Sequence, residues 1–134
     1  MTKAFAPHGD TRIDVRGRIL VLRPQGHLNA EEVGRILRQL DEIIPSLGGK
    51  PWAVLYVLQD STLLTPDAEN SATGASSLLT AAGLSTLAIV LPPGLSGRLQ
   101  EAQVRSIYAD THCAIRVFDD EPAAFAWASS MIGE

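Results

Sequence analysis

Two apolar runs of strand length place the strongest limit on what this chain can fold into. Residues 52–58 read Trp-Ala-Val-Leu-Tyr-Val-Leu, and residues 87–91 read Leu-Ala-Ile-Val-Leu. Neither run alternates between apolar and polar residues, which is typical of strands that are covered on both faces of a sheet. Parallel strands flanked by helices meet that requirement, so the two runs predict the centre of an α/β layer fold.

Helical patterns alternate with these strands. Asn29 suits the cap of a helix, Glu32 follows three residues later as in a capping box, and apolar residues then recur at spacings of three and four. Pro45 predicts the end of this helix, because proline lacks an amide donor and crowds the preceding turn. Further helices are predicted near residues 66–82, near residues 95–110 and after the acidic start at residues 119–122.

Shorter strand patterns complete the order of elements. Residues 12–16 and 18–22 predict two tightly joined strands, and residues 114–118 predict the last strand. The order β-β-α-β-α-β-α-β-α predicts a mixed, mostly parallel sheet with about four helices, whose first two strands form an antiparallel edge. We expect residues 1–11 to be a tail and residues 12–134 to form a single domain.

Charge and composition exclude several classes of partner. The chain has 11 Lys and Arg against 15 Asp and Glu, a formal net charge of −4, which is the wrong sign for a protein that neutralises nucleic-acid phosphates. No apolar run approaches the ~18–20 residues that cross a bilayer, and the N-terminal residues lack the apolar region of a signal peptide. We expect a cytoplasmic domain that neither binds nucleic acid nor spans a membrane.

Common catalytic motifs are absent from the sequence. It contains no G-x-S-x-G elbow, no G-x-x-x-x-G-K-[ST] phosphate loop, no G-x-G-x-x-G after a strand and no H-E-x-x-H. The histidines have no spacing that resembles a metal site. His112 and Cys113 are adjacent, but successive strand residues point to opposite faces, so we interpret Cys113 as a buried thiol rather than half of a catalytic pair. We expect no metal, no cofactor and no enzymatic activity.

A glycine-containing turn before a helix is a candidate anion site. Gly94, Gly97 and Arg98 could offer main-chain amides and a guanidinium group to an anion. The alternative is an ordinary strand-to-helix turn, because two glycines without further spacing are common in such turns.

A stretch without basic residues is a candidate partner surface. From Pro51 to Gly97 the chain has no Lys or Arg, and the predicted helix within it is uncharged after its first turn. Small residues permit close approach, and a face without charge costs little to desolvate against a partner or a second copy of the chain. The alternative is a helix of small residues that lies on its own sheet. The candidate residues are Ala68, Ala72, Ala75, Ser76 and Leu79.

The order of elements and several short sequence motifs resemble the STAS superfamily. They are most similar to its stand-alone SpoIIAA-like members, a group linked to the SEC14-type fold. The resemblance covers roughly residues 12–132. It rests on the Gly-His-Leu-Asn-Ala-Glu run at residues 26–31, on the central strand that ends in Asp60-Ser61, and on Val-Phe-Asp-Asp at residues 117–120 before an Ala- and Trp-containing helix. The resemblance implies a SpoIIAA-like α/β domain.

In the antagonist branch of that superfamily, a kinase phosphorylates the serine of an Asp-Ser step, and the added charge disrupts a docking surface. Ser61 with Asp60 matches that step. The sequence departs from the family pattern directly afterwards, because Thr-Leu-Leu-Thr-Pro at residues 62–66 replaces the Ser-Gly-Leu that runs straight into a helix. The alternative role for Ser61 is a loop hydroxyl that hydrogen bonds to nearby main chain.

Two functions are therefore expected. The first is a non-enzymatic regulatory domain that binds protein partners and associates with itself as a homodimer. The second is a carrier or sensor of a small apolar or amphipathic ligand held between the helices and the sheet, which the high aliphatic content favours.

Overall fold

The computed structural model describes residues 11–59 and 62–134. Five strands form one sheet in the order β1-β2-β3-β4-β5, in which β1 is antiparallel to β2 and every other neighbouring pair is parallel. This confirms the predicted α/β class, the mostly parallel sheet and the antiparallel edge. The strands are β1 Arg12–Arg16, β2 Ile19–Arg23, β3 Trp52–Val57, β4 Leu84–Val90 and β5 Ala114–Phe118.

Four α-helices connect and follow the strands. They are α1 Ala30–Ile43, α2 Pro66–Ala81, α3 Gly94–Ile107 and α4 Glu121–Ile132, and a 3-10 turn, Ile44–Leu47, follows α1 at the predicted proline. In the part of the chain that the structure describes, no helix is long and apolar enough to cross a membrane.

The start of α1 shows how local sequence fixes a helix end and ties it to the sheet. The Asn29 side chain accepts a hydrogen bond from the Glu32 amide at 2.8 Å, as the cap pattern predicts. The Glu32 carboxylate does not complete a capping box with Asn29. It accepts instead from the Thr11 amide at 3.1 Å and from Arg35 at 2.8 Å. This buried carboxylate therefore joins the chain that enters β1 to the first turn of α1.

The position of β3 in the middle of the sheet explains why its sequence is continuously apolar. Trp52 and Val54 pack beneath α1, α2 and α3, whereas Ala53 and Leu55 pack against α4 on the opposite face. All four side chains are at most 2% exposed. Alternate residues thus enter two separate cores, one on each face of the sheet, as expected for a buried parallel strand.

The helix α3 lies close to the loop that precedes it, and Gly97 makes this possible. A Cβ atom at position 97 would overlap the Pro92 carbonyl oxygen. Gly74 in α2 has no atom within 4 Å of the equivalent position. Gly97 is therefore required by the packing of α3, and Gly74 is not.

These two helical glycines form a matched pair. Gly97→Ala should lower the free energy of unfolding by about 2–3 kcal/mol, because the added methyl group overlaps the Pro92 carbonyl. Gly74→Ala should raise it by up to about 1 kcal/mol through helix propensity alone. Urea unfolding of the two variants measures both values, and equal effects would contradict the close approach of α3 to Pro92.

Candidate functional site

A partly open cavity of about 80 Å³ lies between the sheet and the three helices that cover its first face. Its walls come from β2 and β3, from all three helices and from the loops that follow the two strands. Most of the lining is aliphatic. The described lining residues are Thr11, Leu22, Pro24, Leu28, Val33, Ile36, Leu37, Leu40, Tyr56, Leu58, Thr62, Leu64, Ala72, Leu79, Gln100, Val104, Ile107 and Tyr108.

The accessible side of the cavity lies between α1 and α2. Ile36 and Leu37 on α1, Ala72 on α2 and Leu64 before α2 each keep some accessible surface, although all four belong to the apolar core. Tyr56 also keeps accessible surface, although it lies on the central strand beneath the helices. In a fully packed core these side chains would be buried.

Gln100 is the most constrained polar residue of the cavity. Gln100 is 1% exposed. Its side-chain nitrogen donates to the main-chain oxygen of Gln59 and, at 3.3 Å, to the Ser96 hydroxyl. Because a main-chain oxygen only accepts, the amide nitrogen must face Gln59, and the amide oxygen must face away. That oxygen, Oε1, has no hydrogen-bond partner. The hydroxyl of Thr11, also in the lining, has none either.

Two tyrosines supply the remaining polar atoms on the sheet side. Tyr56 and Tyr108 both line the cavity. Burial raises the pKa of Tyr108 well above its usual value, and the neighbouring Tyr56 raises it further. Burial also raises the pKa of Tyr56. Both phenols are therefore neutral at physiological pH and keep their protons for hydrogen bonding.

A short covering segment, residues 62–65, closes the cavity at the end of β3. Leu64 forms a parallel bridge with Leu28, in which the Leu28 amide donates to Leu63 at 3.2 Å and the Thr65 amide donates to Leu28 at 2.9 Å. The side chain of Gln103 on α3 holds Leu64 at two points. It accepts from the Leu64 amide at 3.1 Å and donates to the Leu64 carbonyl at 3.0 Å.

The structure places most of the candidate partner surface inside the domain. Ala68, Ser76 and Leu79 are 0%, 6% and 9% exposed, and Ala72 and Ala75 are half-buried. These small residues let α2 pack on its own domain, which was the alternative interpretation. They face inward, and Ala72 and Leu79 line the cavity. The uncharged sequence therefore reflects burial at these positions, and protein binding elsewhere on α2 stays a prediction.

The other candidate residues lie apart from the cavity. Gly94 has a φ of +82°, which favours glycine, and Arg98 is exposed on the first turns of α3. With Gly97 explained by packing, anion binding there stays a prediction. His112 is exposed, whereas Cys113 is half-buried, and burial raises the pKa of its thiol to about 11. Asp60 and Ser61 lie outside the described residues.

A shallower groove of about 420 Å³ lies on the α4 face, beside Arg16, Glu121 and Phe125. Its floor is the apolar surface of β2 and β3. Glu121 of this groove accepts two hydrogen bonds from Arg23, at 2.6 and 2.8 Å. This ion pair raises the pKa of Arg23 and lowers the pKa of Glu121. The groove is larger but more open than the cavity, so the cavity would cover more of a ligand's surface and is the stronger candidate site.

No family model and no curated protein matches this chain. Among solved structures, the chain is similar to an uncharacterised protein of the DUF3478 family with a SpoIIAA-like fold from Shewanella loihica PV-4. The two share 17% sequence identity over 88% of this chain and 91% of that one, with a TM-score of 0.66. The chain is thus an α/β domain with the SpoIIAA-like fold that its sequence predicted. At this identity the similarity shows the fold alone.

The two-point contact of Gln103 with Leu64 gives a direct prediction. Gln103→Met removes both hydrogen bonds but keeps an unbranched side chain of similar length. Hydrogen exchange at the Leu64 amide should become at least about tenfold faster, since each lost bond contributes about 1 kcal/mol. Arg105→Met, which breaks only the exposed pair with Glu101 on the same helix, should leave that amide unchanged. Equal exchange in both variants would contradict a role for Gln103 in holding the covering segment.

Proposed function

We propose that this domain binds a small, mostly apolar molecule in the cavity, and that it acts by binding rather than by catalysis. The observation that carries the proposal is a cavity of about 80 Å³ lined mostly by aliphatic side chains. Protein interiors are normally packed as densely as organic crystals. An apolar molecule bound in the cavity would fill this space.

The volume supports a small ligand group. Cavities of about 150 Å³ lined by Leu, Ile and Phe accept benzene, whereas a single water molecule needs only about 10–15 Å³. A cavity of about 80 Å³ lies between these limits. It suits a group of a few non-hydrogen atoms, and a longer ligand would extend past Leu64 and Ala72 towards the accessible side.

The lining supports binding rather than chemistry. Among the described lining residues there is no carboxylate, histidine, lysine or cysteine to transfer protons or attack a substrate. The two tyrosines have raised pKa values, which makes them poor bases. The absence of enzymatic activity therefore belongs to the same proposal.

Xenon tests whether the cavity accepts an apolar guest. Under a few atmospheres of xenon, the methyl NMR signals of Leu22 and Val104 should shift in the wild-type protein. Ala72→Leu adds three carbon atoms at the lining and should reduce these shifts at least about threefold, because the space is then occupied. Ala75→Leu makes the same change one turn further along α2, outside the lining, and should keep the shifts. Unshifted methyl signals in the wild-type protein would overturn the proposal.

A second candidate function is binding to a protein partner, including a second copy of this chain. The observation that favours it is a pair of exposed leucines one turn apart at the start of α3, Leu95 and Leu99, which are 62% and 47% exposed. Large apolar side chains at such exposure are typical of association surfaces when they occur together.

Self-association at this pair is measured by light scattering across a hundredfold range of concentration. The wild-type protein should show a concentration-dependent rise from monomer to dimer mass. The double variant Leu95→Glu/Leu99→Glu should remain monomeric, because four charges would meet at a symmetric interface. Leu78→Glu, at an isolated side chain that is 72% exposed on α2, should behave as the wild type. A monomeric wild-type protein at every concentration would contradict the homodimer.

A further inference from the structure

We infer that the groove on the α4 face is a second binding site, which takes a small organic molecule with one carboxylate group and an apolar body. The carboxylate pairs with Arg16 of β1, and the apolar body lies on Phe125 and Pro122 of α4. The groove and the cavity are on opposite faces of the sheet. The inference therefore goes beyond the proposed function and does not depend on it.

The charge of Arg16 carries the first step. Arg16 is exposed and lines the groove, and it forms no salt bridge with any of the described residues. The other charged residue of the lining is Glu121. Both of its carboxylate oxygens accept hydrogen bonds from Arg23, at 2.6 and 2.8 Å, so its charge is already balanced. One guanidinium group of the groove is thus left without a carboxylate in the described part of the chain.

The ring of Phe125 helps to hold this guanidinium group in place. Cζ of Arg16 lies over the ring, 5.8 Å from its centre, within the range of a cation–π contact. The N–H donors of a guanidinium group point outward in its plane, so a contact with an aromatic ring leaves them able to donate. A carboxylate can accept two parallel hydrogen bonds from such a group. Arg16 is therefore prepared to bind a carboxylate beside an aromatic ring.

Apolar side chains form the rest of the groove and carry the second step. Val21 and Leu55 close the bottom and are only 1% exposed, so the surface that a ligand can touch comes from α4. On that helix Pro122 and Ala126 are exposed, and Phe125 keeps accessible surface. An ion without a carbon body would leave this surface in water, whereas an apolar body would cover it. The groove therefore favours an organic anion over an inorganic one.

The size and the charge of the groove limit the ligand further. Its volume of about 420 Å³ lies within the range of small-molecule sites, which is about 300–1,000 Å³. A single unpaired guanidinium group matches one negative charge, and a phosphate dianion would keep a second charge without a partner. Arg16 repels an ammonium group, and Glu121 is already bound to Arg23. A monocarboxylate fits these conditions best.

Three small probes test the charge preference. 3-Phenylpropanoate, 3-phenylpropanol and 3-phenylpropylamine share one carbon skeleton, and at neutral pH they carry a negative charge, no charge and a positive charge. Each is titrated while the NMR signals of Val21 and Ala126 are followed. The dissociation constant of 3-phenylpropanoate should be at least about threefold lower than that of the alcohol, as expected for one exposed ion pair, and the amine should bind more weakly than either. The methyl signals of Val104, which lines the cavity, should not shift with 3-phenylpropanoate.

Two arginine variants assign the preference to the groove. Arg16→Met removes the charge but keeps an unbranched side chain beside Phe125, so the carboxylate and the alcohol should then bind within about 1.5-fold of each other. Arg116→Met is the matched control. Arg116 is also exposed and lies over an aromatic ring, 5.2 Å from the centre of Phe118, but it does not line the groove. Both variants lose one positive charge, and only Arg16→Met should lose the preference.

The order of the three probes in the wild-type protein decides first. An alcohol or amine that binds as tightly as 3-phenylpropanoate overturns the inference, and so does the absence of any shift at Val21 and Ala126. An equal loss of preference in both variants also overturns it, because the preference would then come from the general surface charge. None of these results bears on the cavity, which xenon tests separately. A preference for the carboxylate that depends on Arg16 and not on Arg116 supports the inference.

Discussion

The burial of β3 on both faces is the constraint on which the rest of this structure depends. Its main-chain groups are paired in the sheet, and its side chains enter two cores of different character. Small side chains meet where α4 packs on the sheet. Ala53 and Ala88 of the sheet face Ala124 and Ala128 of the helix, and all four are 0% exposed. Small side chains at these positions allow the helix to lie close to the strands. The opposite face carries larger residues and needs three helices.

The cavity lies on the face that three helices cover. Val54 is 2% exposed beneath these helices, whereas Tyr56, the next residue on the same side of β3, lines the cavity together with Tyr108. Gly97 lets the start of α3 lie against the Pro92 carbonyl group. Further along the same helix, Gln100 lines the cavity and Gln103 holds Leu64 of the covering segment.

The sequence predicts the fold well because periodicity reports which residues are buried. The runs at 52–58 and 87–91, the cap at Asn29 and the break at Pro45 each depend on neighbours along the chain, and the structure confirms them. The site depends on residues far apart in sequence. Gln100 carried one detectable signal: it is a polar residue at helical spacing from Val104 and Ile107, on the buried side of α3. The small residues of α2 are ambiguous in the sequence, since low charge and small size are equally typical of a partner surface and of a helix packed on its own sheet.

The similarity to a solved SpoIIAA-like structure fixes the arrangement of elements but not the chemistry between them, because at 17% identity most side chains differ. The function must therefore be argued from the cavity and its lining, which the fold alone does not determine. Gln100 shows how the lining also serves the fold. Its side-chain nitrogen holds the Gln59 main-chain oxygen, and its own oxygen is buried without a donor. The unpaired oxygen offsets part of the free energy that the contact with Gln59 contributes.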